Sequence, residues 1–176
     1  MIHVVPMGLI DVIIPEYIAN LTSEKFGIMV EVAENFPIDA FRRNEARGQY
    51  LSSDMLRSLS VRKESDEDIL LGVVDVDLYV DSLNFVFGEA DPINRVAVIS
   101  VTRLRQGFYG LQNDRRLLLE RAGKEAVHEI GHVLGLSHCV DPTCVMYFSN
   151  RLADTDWKRD DFCKRCLTSL RSRGQI

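Results

Sequence analysis

The stretch from His128 to Cys139 reads H-E-x-x-H-x-x-G-x-x-H-C and holds three of the four histidines in the chain. On a helix, residues four apart project from one face about one turn apart, which describes His128 and His132. That spacing suits two imidazole nitrogens meeting one tetrahedral metal at about 2.0–2.1 Å. Glu129 points elsewhere and is better placed to act on a water at the metal than to ligate it. Gly135 tolerates positive φ, so the helix can stop and the chain turn back. His138 then has a route to the same ion as a third ligand. The fourth position stays open, which separates a catalytic zinc site from a closed structural one. A bare H-E-x-x-H would be a weaker signal.

The register of the surrounding helix supports this reading. Over Asp114 to Leu136, Leu119, Ala122, Gly123, Ala126, Ile130, Val133 and Leu134 share one side. His128 and His132 fall nearly opposite, so one face packs on a core and the other looks into a cleft. Asn113 is the expected N-cap.

The chain has 176 residues, 46% of them hydrophobic and 27% charged, which fits one globular domain. A formal net charge of −5 disfavours nucleic acid and anionic membrane surfaces as partners. No apolar run approaches the roughly 20 residues of a membrane span. Met1 to Pro6 lacks the basic segment and cleavage site of a secretory signal, so a cytoplasmic location is expected. Thiols stay reduced there, and the four cysteines read as metal ligands before disulfides.

Ile2 to Val5 reads as a short buried strand ended by Pro6 and Gly8. Leu9 to about Lys25 reads as a helix with Pro15 as a blemish and Gly27 as C-cap. Ile28 to Ala33 is a strand, Pro37 to Gly48 a surface connection, and Ser52 or Ser53 the cap of a helix through about Val61. Lys63 to Asp68 is a solvated turn. Leu70 to Val76 is a central strand, and Asp75 and Asp77 are ordinary strand-end carboxylates. Asn84 to Phe87 is a short aromatic piece closed by Gly88, and Arg95 to Val101 another strand. This order predicts an α/β (α+β) layout with a mostly parallel sheet and one antiparallel strand. Irregular loops and one or two helices follow His138. The expected organisation is one domain over 1–176, in which a sheet subdomain (1–136) and a tail (137–176) share one cleft.

Cys139, Cys144, Cys163 and Cys166 all lie in that tail, as a C-x₄-C pair and a C-x-x-C pair. Such pairs supply a closed tetrahedral Cys₄ zinc site. A loop-rich tail has little core of its own, so a structural metal would hold it together. Two disulfides conflict with the missing signal, and a redox C-x-x-C lacks its strand-then-helix setting. Because His138 precedes Cys139 directly, the two metal sites are expected side by side.

These residues resemble the metzincin clan of zinc peptidases and, more closely, the archaemetzincin family. That family joins the H-E-x-x-H-x-x-G-x-x-H-C core to further cysteines and a methionine, here Cys144, Met146, Cys163 and Cys166. Arg47-Gly48-Gln49-Tyr50 and Asn84 to Gly88 also resemble it, less specifically. The resemblance implies a metzincin-like mixed twisted sheet, an active-site helix and a smaller C-terminal subdomain. It implies two zinc ions, a catalytic one on His128, His132 and His138 and a structural one on the four cysteines. Met146 would form the Met-turn beneath the catalytic site. Asn84, Phe85, Val86, Phe87 and Gly88 would form an antiparallel edge strand that binds extended substrate backbone. The implied reaction is peptide-bond hydrolysis by a zinc-activated water, with Glu129 as general base and acid, leaning toward aminopeptidase-like action. The expected partner is a peptide or protein substrate, and the expected state a monomer. Read from the residues alone, Met146 is core filling; Tyr147 could reach the site as a switchable hydroxyl, with a packed aromatic the favoured reading. The rival functions are a zinc-stabilised module without catalysis and a zinc endoribonuclease; Glu129 and the acidic charge disfavour the latter.

Overall fold

The computed structural model describes residues 1–176. Its main sheet has five strands, which in spatial order are β2 (Val30–Val32), β1 (Ile2–Met7), β5 (Ile69–Val74), β9 (Val96–Ser100) and β8 (Gly88–Asp91). β1, β2, β5 and β9 run parallel, and β8 pairs antiparallel with β9. The predicted mostly parallel sheet with one antiparallel strand is therefore present. Every residue of β5 and β9 is buried, as expected for parallel strands covered on both faces.

Three helices supply that cover. Helix α1 (Ile13–Phe26) and helix α3 (Arg115–Val133) lie on one face. There Ile14, Ile18, Ala122, Ala126 and Ile130 join Val4, Leu71, Val73, Ala97 and Ile99 in the larger apolar cluster. Helix α2 (Ser52–Arg62) covers the other face, with Met55, Leu56 and Leu59 against Val5, Val74 and Val98. Each Leu or Ile sealed this way contributes about 1.5–3 kcal/mol. Cys144, Val145, Met146, Cys166 and Leu170 belong to the larger cluster, so the tail shares the core of the sheet subdomain. No helix is long and apolar enough to cross a membrane.

Several local expectations need correction. β1 runs through Pro6 to Met7. Beyond the end of β2 no paired strand awaits a donor from Pro6, while its carbonyl accepts the Phe36 N–H at 2.8 Å. Helix α1 begins at Ile13, not Leu9, because Gly8 turns at φ +74° and Asp11 Oδ1 accepts the Ile13 N–H at 3.2 Å. Pro15 thus falls in the first helical turn, where an absent N–H is harmless. Ser52 is the first residue of α2 and not its cap; its hydroxyl donates to the Tyr79 carbonyl at 3.1 Å and to Glu89. Asp114, not Asn113, caps α3 by accepting the Leu117 N–H at 3.0 Å, and Asn113 instead accepts from Gly107.

A second, four-stranded sheet was not anticipated. It joins β3 (Arg43–Asn44), β4 (Gln49–Leu51), β6 (Leu78–Val80) and β7 (Leu83–Val86) in that order. The segment expected as one edge strand is consequently divided. Asn84, Phe85 and Val86 end β7, the edge of this smaller sheet; Phe87 bridges the two sheets; and Gly88 opens β8, the edge of the larger one. Asp75 and Asp77 are consumed by ion pairs with Arg105 and Arg103. The tail adds α4 (Leu152–Trp157) and α5 (Lys164–Ser172).

Candidate active site

The last turns of α3 lie against the β8 edge and carry His128, Glu129 and His132 in helical register. The helix ends at Val133, and Gly135 at φ +88° reverses the chain toward His138. A side chain there would be strained, which explains glycine at this position. The ligating atoms of His128, His132 and His138 lie within 4.8 Å of one another.

Backbone carbonyls aim the imidazoles. His128 Nδ1 lies 2.7 Å from the Val145 carbonyl, and His132 Nδ1 lies 2.8 Å from that of Leu136. A carbonyl only accepts, so each Nδ1 carries the proton and each Nε2 presents its lone pair. The two Nε2 atoms are 3.1 Å apart. Neighbouring nitrogens on one tetrahedral zinc stand about 3.3 Å apart, so the cluster fits that ion. Burial holds the pKa of all three rings below the ordinary histidine value, His128 most strongly; the buried Lys158 ammonium adds to the effect at His128. They are therefore neutral at pH 7, the form that ligates.

The cleft in front of these rings has a volume of about 410 Å³. Asn84, Phe85, Val86, Phe87 and Gly88 line it, as do Phe148, Ser149 and Asn150 from the tail. All five residues expected in the edge segment thus line it, although they span two strands. Gly88 is the closest approach. A Cβ built there would stand 2.6 Å from Glu129 Oε1, so bare backbone and carboxylate meet directly. Glu129 is 6% exposed, and burial, with Glu125 and Glu89 nearby, raises its carboxyl well above the usual range.

The expectation that the histidine face simply opens on the cleft holds only in part. His128 is buried because the tail folds over it, and Arg121 and Glu125 on the same side are buried too. Arg121 is held there by a bidentate pair with Asp156 at 2.6 and 2.7 Å. Glu125 and Glu89 line the cleft and were missed. The one available signal for Glu125 was its position a single turn before Glu129. His3, the remaining histidine, lies elsewhere and bonds Glu31 at 2.8 Å. Tyr147 contributes its backbone carbonyl to Lys158 at 3.4 Å and is absent from the cleft wall.

The four cysteines converge beside this centre. Cys139 and Cys163 sulfurs are 3.8 Å apart, as are those of Cys144 and Cys166. A disulfide needs about 2.05 Å, whereas the edge of a Zn–S₄ tetrahedron is about 3.8 Å. The donor set fits a closed metal site. Backbone N–H groups of Asp141 and Cys163 point at Cys139 and Cys144 sulfurs, and Arg165 donates to Cys139 at 3.2 Å. Such donors stabilise thiolates. At Cys163 burial pushes the pKa up, but hydrogen bonds from Cys166 and the other thiols outweigh it and bring it down to about 7. Met146 lies beneath α3, its sulfur against Gly131.

Comparison with known proteins agrees with this geometry. The model of peptidase family M54 matches residues 23–172. The archaemetzincin of Methanocaldococcus jannaschii is 46% identical over 169 residues, covering 96% of this chain and 92% of that protein. That of Pyrococcus furiosus is also 46% identical, over 98% of this chain and 93% of its own length. A crystal structure of archaemetzincin from Methanopyrus kandleri superposes with a TM-score of 0.83 at 37% identity, covering 100% of this chain and 96% of that one. A zinc-dependent peptidase from Methanocorpusculum labreanum reaches 0.88 at 30% identity, covering 97% and 100%. Family, relatives and fold agree along nearly the whole chain: it belongs to peptidase family M54, the archaemetzincins, and is a zinc metallopeptidase.

Proposed function

We propose that this chain hydrolyses peptide bonds at the three-imidazole centre, acting as an aminopeptidase-like enzyme on short peptides. The observation that carries the reading is the pairing of His128 and His132 Nδ1 atoms with backbone carbonyls, which leaves their Nε2 atoms converging beside Glu129. His128, His132 and His138 hold a catalytic zinc, and Cys139, Cys144, Cys163 and Cys166 hold a second, structural one. The catalytic zinc supplies Lewis acidity, acidifying water and polarising a carbonyl.

The protein's own groups do the rest. Glu129 takes the proton of the attacking water and returns it to the leaving amine. Burial raises its carboxyl well above the usual range, which helps it hold the proton between the two transfers. Asn84 to Gly88 bind substrate as an added strand, backbone to backbone, with Phe85 and Phe87 as apolar walls. Met146 forms the floor under the imidazoles. Residues 1–136 and 137–176 work as two halves of one domain around the cleft. The protein acts as a cytoplasmic monomer and takes no nucleic acid.

The test is hydrolysis of a peptide library with free and blocked amino termini by protein carrying a measured metal content. Two zinc ions per chain and cleavage confined to free amino termini are expected. Metal-replete protein that cleaves neither set overturns the reading; cleavage of blocked peptides alone overturns the aminopeptidase assignment.

A further inference from the structure

Lys158 is the largest side chain sealed completely inside the molecule. A buried ammonium is tolerated only where a carboxylate and further acceptors meet it. Its Nζ lies 3.0 Å from Glu125 Oε1 and donates to the Tyr147 carbonyl at 3.4 Å. Thr155 Oγ1 donates to the same Glu125 oxygen at 3.0 Å. Glu125 is 2% exposed and stands on α3 one turn before Glu129. One ammonium thus joins α3, the end of α4 and the stretch Cys144–Tyr147.

That stretch serves the metal centre. Its Val145 carbonyl accepts the Nδ1–H of His128, and its Met146 sulfur lies against Gly131. Backbone bonds fasten its other side, Val145 N–H to the Asp161 carbonyl and Cys139 N–H to that of Met146. Toward α3 the polar attachments are the His128 bond itself and Lys158, reaching from Tyr147 to Glu125.

We propose that Lys158 is a positioning residue for the three-imidazole centre: it clamps the Val145–Tyr147 stretch to α3 through Glu125 and so aims His128. This rests on the reading that the three imidazoles hold a metal. A pair that merely stapled the fold would behave differently. Buried ion pairs are often replaced by isosteres of similar volume without loss of stability, and such a replacement would then leave the metal undisturbed. Partners that orient a metal-bound histidine typically change metal affinity by about 10–100-fold when removed.

The test uses the full chain with cobalt(II) in both sites, comparing parent, Lys158→Met and Lys158→Met/Glu125→Gln. The double variant leaves no unpaired buried charge, which keeps it folded where the single variant is weakened. Its thermal midpoint is expected within a few degrees of the parent. Affinity at the imidazole site, read by chelator competition and by the cobalt d–d bands, is expected to fall about 10–100-fold. The cobalt–thiolate charge-transfer bands of the cysteine site are expected to stay unchanged. Parent-like affinity and spectrum in the double variant overturn the proposal. So does an equal loss at the cysteine site, which means general loosening, and so does a double variant that no longer folds. A parent that binds no cobalt at the imidazoles overturns the metal reading as well, so the two failures are distinguishable.

Discussion

Met146 lies against the bare backbone of Gly131: a Cβ built at that glycine would stand 2.5 Å from the methionine sulfur. Two opposed effects bear on Gly131→Ala. Alanine in a helix interior gains about 0.8–1 kcal/mol over glycine. Overpacking a closed core costs about 1–3 kcal/mol. The second wins here, because Met146 and Gly131 are both buried. Net destabilisation is expected in a thermal melt, together with weaker metal retention. Met146→Leu conserves volume and is expected to cost less than about 1.5 kcal/mol.

Gly88 and Glu129 have a similar relation with a different consequence. A Cβ at Gly88 would stand 2.6 Å from the carboxylate. Gly88→Ala lies at a strand edge on the cleft, so the fold tolerates it while Glu129 must move. The expected outcome is a normal melting curve with peptidase turnover reduced at least about tenfold. Unchanged turnover would show that the carboxylate position is not limiting.

Glu129→Gln is expected to keep both metals and lose at least about a hundredfold in rate. In metal-free protein the same change has a signed effect on stability. Burial, then Glu125, raises the folded carboxyl pKa above its ordinary value of 4.5. Native Glu129 therefore contributes no penalty below about pH 4.5 and an increasing one as pH rises from there toward the folded value. The uncharged amide removes that penalty, so the stabilisation by Glu129→Gln should be absent near pH 4 and largest at pH 7–8. A pH series of denaturant midpoints reads this directly.

The histidines run the other way. Burial depresses the folded pKa of His128, His132 and His138 below 6.5. The unfolded chain binds more protons there, so metal-free protein loses stability as pH falls from about 6.5 through the folded values. Metal retention at the imidazoles should therefore persist as pH falls past 6.5, the ordinary histidine value, and fail only at lower pH. Metal loss already setting in at pH 6.5 or above would contradict the depressed values.

Cys163→Ser removes one corner of the sulfur cluster, whose partner sulfur lies 3.8 Å away. The tail packs into the main core, so its loosening is expected to lower the thermal midpoint by several degrees. For a chain of this size each kcal/mol corresponds to about 2–4 °C. Limited proteolysis should cut first within residues 137–176, and metal at the imidazoles should become easier to remove.

The sequence carried the centre clearly because its signal is local. His128, Glu129 and His132 sit in fixed helical register, and Gly135 marks the reversal that delivers His138. The long parallel strands were legible from their uninterrupted apolar runs. The second sheet was not, since β3 and β4 are two and three residues long and show no periodicity. Asn and Asp cap helices about equally well, so composition did not separate Asn113 from Asp114. Lys158 and Glu125 meet only through tertiary folding, and nothing in the local pattern around Lys158 marks it as buried.

One peptide bond joins His138, of the imidazole cluster, to Cys139, of the sulfur cluster. The cysteine that closes the second cluster, Cys166, emerges from the ribosome well after His138. Until the tail is made, His138 has no anchor and His128 lacks the Val145 carbonyl that aims it. The three-imidazole arrangement is therefore completed only once the tail has been made and has packed into the core.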